Sequence, residues 1–234
     1  MGTLYVVATP IGNLEDISLR ALRILLTAPY IACEDTRRTG MLLSELKKRY
    51  GTTIATNTKP KLISYYDQVE KSKTPEILEL LANSDVALVS DAGTPLISDP
   101  GYVLVHEARK RNVPVIAIPG PNAAIAALSV SGLPVSSFIF FGYPPEKQST
   151  RLTHFKQVYQ CINTLVHKPT VIYYCAPHNL HAVLHDAKEV FGDINVVICR
   201  ELTKIHEEYL HGTITEALTH FQIIKGEIVL LLTI

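Results

Sequence analysis

Three short segments bring together the residue types and spacings that chemistry needs. Residues 91–101 (DAGTPLISDPG) crowd two Gly, two Pro and two Asp into eleven positions. Gly93 and Gly101 permit a positive φ and let a ligand approach the main chain closely. Asp91 and Asp99 offer carboxylates to hydroxyl or amino groups. Asp, Gly and Pro are also what an ordinary tight loop uses, yet eleven residues is long for a plain strand-to-helix connection, and loops of that kind tend to be functional. Residues 34–38 (EDTRR) set carboxylates beside guanidinium groups. The run reads either as a local ion pair or as a device that orients an alcohol nucleophile and holds a phosphate. Residues 9–13 form the third loop. Neither GxGxxG nor GxxxxGK[ST] occurs, so dinucleotide and P-loop phosphate binding are unsupported. There is no GxSxG, and Ser90 has no evident His partner.

Short apolar runs alternating with longer amphipathic ones predict an α/β architecture to position these loops. In a first domain, residues 4–8, 30–33, 62–64, 86–90 and 113–118 read as strands. The run at 86–90 is apolar and reads as central and parallel. Helices are expected from Asp16 as N-cap to about residue 26, from 39 to about 48, from Pro75 as first helical residue to 82, and up to about 111 after the 91–101 loop. All three chemical loops follow strand C-termini, where open α/β sheets place their ligand crevice. The stiff Pro119-Gly120-Pro121 tripeptide predicts a boundary, with domains at 1–118 and 119–234. The second domain reads as helices near 123–130, 151–165, 178–190 and 214–221, with strands at 138–141, 170–175, 195–200, 208–211 (an edge) and 228–233. Residues 142–149 read as a polar loop.

The chain of 234 residues is 47% hydrophobic and 19% charged, enough apolar material for packed cores and unlike a disordered sequence. The opening apolar run stops at Pro10, lacks the basic lead-in of a signal peptide and is far too short to cross a bilayer, so a soluble cytoplasmic protein without membrane contact is expected. The four cysteines (33, 161, 175 and 199) show no metal spacing, and the nine His are scattered. Buried reduced thiols and no metal are expected. The formal net charge of zero argues against a nucleic-acid partner. Its distribution is uneven: residues 37–61 hold seven Lys/Arg against the single acid Glu45, and residues 147–168 hold four against none. Solvated faces and phosphate-binding surfaces both fit that pattern.

The segments LYVVATPIGNLEDISLRAL, EDTRRTG, SDAGTPLISDPG, PGPNAAIAAL and RELTKIHEE occur in this order. Together they resemble the ribosomal RNA small-subunit methyltransferase I family, a branch of the tetrapyrrole methylase superfamily, the class III methyltransferases. The resemblance covers residues 4–232, and TPIGNL combined with SDAGTP and SDPG is specific to this branch. It implies a two-domain class III α/β fold, with a mostly parallel sheet in the first domain and a mixed sheet in the second. It also implies a homodimer, S-adenosylmethionine folded in a cleft between the domains, and no metal. The implied reaction is methylation of a cytidine ribose 2′-oxygen in small-subunit ribosomal RNA, free or in the assembled subunit.

By position, the resemblance places Pro10, Asp91, Gly93, Thr94 and Ile97 at the cofactor, with Asn122, Ala123, Tyr174, Cys175 and Leu202 closing the pocket. Glu34 is then the candidate proton acceptor, Arg37 the phosphate anchor and Lys204 a stabilising cation. Arg37, Arg38, Lys147 and Arg151 are the candidate RNA contacts. Two departures stand out. Where the family often has a SYHEHNE-like segment, this chain reads SYYDQVE at 64–70, so no histidine role carries over. Many members also continue past the last strand with a helical extension, whereas this sequence ends at Ile234, which bears on RNA docking. The alternatives are a tetrapyrrole or diphthamide-pathway methyltransferase of the same superfamily, and a non-catalytic RNA-binding protein on this scaffold.

Overall fold

A computed structural model describes residues 1–51, 59–222 and 224–234. The chain divides into two compact units, Met1–Asn122 and Ala123–Ile234.

The first unit is a five-stranded sheet in the order β3-β2-β4-β1-β5, formed by β1 (Leu4–Val7), β2 (Tyr30–Cys33), β3 (Lys61–Ser64), β4 (Val86–Val89) and β5 (Val115–Ile118). All its pairings are parallel, with Tyr5 opposite both Ala87 and Ile116 and Cys33 opposite Val89. Such strands need crossover helices, which cover both faces. On one face α1 (Leu19–Thr27) and α2 (Thr36–Tyr50) pack over Val7, Ile31, Cys33, Ala87 and Val89. On the other, α3 (Glu70–Leu80) and α4 (Tyr102–Lys110) pack over Leu4, Ala32, Ile63, Val86 and Leu88. Strand β4 is therefore buried on both sides, which is why its sequence is apolar at every position rather than alternating. The connection leaving β1 runs past β4 to β2, whereas that leaving β4 runs past β1 to β5. The two run in opposite directions over opposite faces of the sheet, and both leave from the C-terminal ends of the adjacent strands β4 and β1.

Several helix starts differ from the sequence reading: α2 and α6 begin three residues earlier, at Thr36 and Gln148, and two others differ in their signals. Asp16 belongs to a short 3-10 turn (Leu14–Asp16), and the cap of α1 is Ser18, whose side chain accepts from the Ala21 N–H. Pro75 lies inside α3, not at its start. The helix is carried through it by burial of Thr74, Ile77 and Leu78, and the Thr74 hydroxyl donates to the Glu70 carbonyl at 2.7 Å.

The second unit is a mixed sheet in the order β6-β7-β10-β8-β9: β6 (Phe138–Phe140), β7 (Thr170–Cys175), β8 (Asn195–Arg200), β9 (Glu208–Thr213) and β10 (Ile228–Thr233). Only β6 and β7 pair in parallel; the other pairs are antiparallel. One face carries a core of Val171, Tyr173, Val196, Ile198, Leu230 and Leu232 under α6 (Gln148–Asn163), α7 (Leu180–Phe191) and α8 (Ile214–His220). The small-residue helix α5 (Ala123–Val130) lies against β7 and β10. Among the described residues no helix is long and apolar enough to cross a membrane.

Candidate active site

In the first unit the three chemical loops converge at the C-terminal ends of β1, β2 and β4. The loop after β4 is fastened to the loop after β1 by an isolated antiparallel bridge. The Thr9 N–H donates to the Gly93 carbonyl at 2.8 Å, and the Gly93 N–H returns to the Thr9 carbonyl at 3.1 Å. Gly93 has φ +82°, and a Cβ there would stand 3.3 Å from Ile11 Cγ2. Glycine is thus required both for the backbone conformation and for the close passage of the two loops. The Thr94 hydroxyl donates to the Pro121 carbonyl at 2.9 Å, securing the loop a second time. Beyond it, Leu96 and Ser98 adopt φ of 73° and 64°. Non-glycine residues in that region cost on the order of 1–3 kcal/mol each and persist where the surroundings over-determine them. Ile97, between them, is exposed and Pro10 is buried. The Ser90 hydroxyl, where β4 ends, is buried and has no hydrogen-bond partner among the described residues.

The EDTRR run is organised by capping. Asp35 is the N-cap of α2, its carboxylate accepting from the Arg37 and Arg38 amides at 2.7 and 3.4 Å. The ion pair forms across the site rather than within the run: Arg38 Nη1 lies 3.1 Å from Asp91 Oδ2, while Asp91 Oδ1 accepts from the Asp35 N–H at 3.1 Å. Both Asp91 carboxylate oxygens are therefore engaged within the protein, tying the loop after β4 to the start of α2. Arg37 is exposed and forms no ion pair among the described residues. Glu34 is half-buried. Desolvation raises its pKa above 4.5, with the negative charges of Asp91, Asp99 and Asp67 adding to the effect and a hydrogen bond from the Asp91 main chain opposing it. A carboxylate shifted upward in this way is a stronger proton acceptor than an ordinary solvated one.

In the second unit the Tyr174 hydroxyl accepts from the Ala124 N–H at 3.3 Å, at the start of α5, and its ring meets Phe140 edge-on. Cys175 and Leu202 are buried, and burial pushes the Cys175 thiol up to about 12, so it is an inert packing residue. The RELTK loop is strained, with Glu201 at φ 53° and Thr203 at 66°. Lys204 Nζ lies 2.9 Å from Glu201 and 3.1 Å from Glu227. Burial works against its charge, but the two carboxylates outweigh burial and raise its pKa.

Arg151 requires a correction. It is only 3% exposed, and its guanidinium meets Asp186 at 2.6 Å and the Pro145 and Glu146 carbonyls at 3.0 and 2.8 Å. Desolvated and fully engaged, it fastens α6, α7 and the 142–149 loop together and presents no face to a phosphate. Lys147, at the N-cap of α6, is exposed. Sequence reasoning also missed the Thr9–Gly93 bridge and the contacts of Glu70, whose carboxylate accepts from the Gly101 and Val103 amides. Neither leaves a local signal, because the partners are 84 and 31–33 residues apart.

The family model of the tetrapyrrole (corrin/porphyrin) methylases matches residues 3–218. The chain belongs to this family. Within it, the chain is 45% identical over 233 residues to the ribosomal RNA small subunit methyltransferase I of Halalkalibacterium halodurans, covering 98% of this chain and 75% of that one. It is 41% identical over 237 residues to the protein of the same name from Thermotoga maritima, covering 100% and 99%. A crystal structure of uroporphyrin-III-C-methyltransferase from Thermus thermophilus superposes with a TM-score of 0.66 at 18% identity, over 99% of this chain and 94% of that one. A second structure of that enzyme, complexed with S-adenosylhomocysteine, gives 0.63 at 17% identity, over 98% and 97%. Methyl transfer is the family's chemistry, and the fold is that of the class III methylases.

Proposed function

We propose that the protein transfers a methyl group from S-adenosylmethionine to the ribose 2′-hydroxyl of a cytidine in small-subunit ribosomal RNA. The observation that carries the reading is near-full-length similarity, at 41–45% identity, to proteins named ribosomal RNA small subunit methyltransferase I. The residues of the first unit suit the donor. Gly93 at φ +82° holds the loop after β4 against the loop after β1, and the orphaned Ser90 hydroxyl beside it is a buried polar atom in want of a partner. Pro10, Thr94 and Ile97 flank that stretch; Asn122 and, from the second unit, Ala123, Tyr174, Cys175 and Leu202 belong to the same proposal.

When bound, the donor supplies an electrophilic methyl on a sulfonium sulfur. Glu34 accepts the 2′-hydroxyl proton as the new oxygen–carbon bond forms, and the sulfur departs as a neutral thioether. Arg37 anchors a neighbouring phosphate, with Arg38 and Lys147 supplying further positive charge. Lys204, held by two carboxylates, acts by ordering its loop. The protein works in the cytoplasm as a homodimer on ribosomal RNA or the assembled subunit.

The test is transfer of labelled methyl to small ribosomal subunits, with naked RNA and small tetrapyrroles assayed in parallel, followed by mass spectrometry of the digested RNA. Label on a cytidine ribose is expected. Label on a base overturns the ribose assignment, and label only on a tetrapyrrole assigns the other branch of the family. No transfer, with RNA still bound, leaves a binding protein.

A further inference from the structure

The N-terminal end of α4 lies where the 91–101 loop finishes, and Gly101, its cap residue at φ +137°, has no side chain to satisfy the first amides. A carboxylate from another helix does so. Glu70 Oε1, on the first residue of α3, accepts from Gly101 N–H at 2.8 Å and from Val103 N–H at 3.0 Å. The first turn of α3 that carries Glu70 is held in turn: the Thr74 hydroxyl donates to the Glu70 carbonyl at 2.7 Å and lies 2.9 Å from the Tyr65 hydroxyl. Tyr65 and Thr74 are 1% and 3% exposed, so this anchor is itself rigidly seated. An anion at exposed helix amides is favourable both as a hydrogen-bond acceptor and as a partner for the helix dipole.

The loop is thus clamped at both ends: at Gly93 by the bridge to Thr9, and at Gly101 by Glu70. Between the clamps lie Leu96 and Ser98 in the left-handed region, a conformation the loop does not hold unaided. We propose that Glu70 is a positioning residue for donor binding, holding the 91–101 loop in the shape that receives the methyl donor. The role rests on the reading of that loop as the donor site. Once the clamp is removed the loop samples other shapes, and apparent affinity falls in proportion to the fraction that remains competent.

The experiment is calorimetric titration of S-adenosylmethionine into the full chain and its variants, at a temperature where circular dichroism shows each to be folded. Glu70→Ala is expected to weaken donor binding about tenfold or more, whereas Glu70→Gln, which keeps a carbonyl oxygen facing both amides, stays within about twofold. Tyr65→Phe loses only a hydroxyl at the same helix end and is expected to weaken binding about threefold. Ile77→Val, on the buried face of α3, lowers the melting temperature with donor affinity unchanged, which separates positioning from general stability. Wild-type affinity in Glu70→Ala and Tyr65→Phe, or a loss in Ile77→Val matching that in Glu70→Ala, overturns the role. A wild-type chain that binds no donor overturns the donor reading itself and this role with it.

Discussion

Substituting Gly93 tests the donor loop directly. At φ +82° an L-residue costs about 1–2 kcal/mol more than glycine. The added Cβ of alanine would sit 3.3 Å from Ile11 Cγ2, a contact that Ile11, itself buried, relieves only by moving a few tenths of an ångström. Relaxing the backbone instead breaks the two main-chain bonds to Thr9, each contributing about 0.5–1.5 kcal/mol. Both routes place the cost of Gly93→Ala near 1–2 kcal/mol, and the β-branched side chain of Gly93→Val raises it to about 3 kcal/mol. If the donor binds the bridged loop, that energy appears in affinity, at tenfold for each 1.4 kcal/mol. Calorimetric titration should therefore show donor binding about 5- to 30-fold weaker for alanine and more than about 100-fold weaker for valine, with native circular dichroism. Wild-type affinity in both variants would refute the assignment of this loop to the donor.

Glu34→Gln removes the proposed proton acceptor and is expected to slow single-turnover methyl transfer about 10²–10⁴-fold with donor affinity intact, measured by quenched-flow labelling. Because burial and neighbouring carboxylates raise the Glu34 pKa, the rate should fall as pH drops through a value above 4.5, a limb that vanishes in the variant. The same shift means that ionised Glu34 opposes folding at neutral pH and that this cost is relieved on acidification, so Glu34→Gln should melt higher than wild type at pH 7. The triple variant Arg37→Ala, Arg38→Ala, Lys147→Ala is expected to reduce the salt slope of RNA binding by about two to three units in filter-binding titrations; an unchanged slope makes these merely solvated side chains. Arg151→Ala strands the Asp186 charge in the interior and is expected to cost about 3–5 kcal/mol in urea unfolding, with no effect on the salt slope.

Much of the architecture is written in local patterns. Strands β2, β7, β8 and β10 begin and end where the apolar runs do, because a buried strand must be apolar over its length and polar where it leaves the core. The unusual backbone of the 91–101 loop was legible because its glycines and prolines encode shapes that regular elements never need. The cap of α1 was harder to place. Asp16 and Ser18 are both competent N-caps, and only the packing of Ala21, Leu22, Leu25 and Leu26 selects the second. Pro75 misled in the same way, since the buried face of α3 overrides the local cost of proline.

What the sequence by itself determined is the order of helices and strands, the fold class and the family to which the chain belongs. Tertiary structure alone decided how each charge is used. Arg38 and Arg151 are both arginines in basic stretches, yet one meets Asp91 at the mouth of a loop and the other is buried against Asp186. Glu70 and Glu34 are both half-buried glutamates, yet one serves helix amides while the other stands among carboxylates that raise its pKa. These partners lie 31–65 residues apart in sequence. A hydrogen bond or ion pair acts over a few ångströms, so its partner is chosen by the fold and leaves no mark in the neighbouring residues.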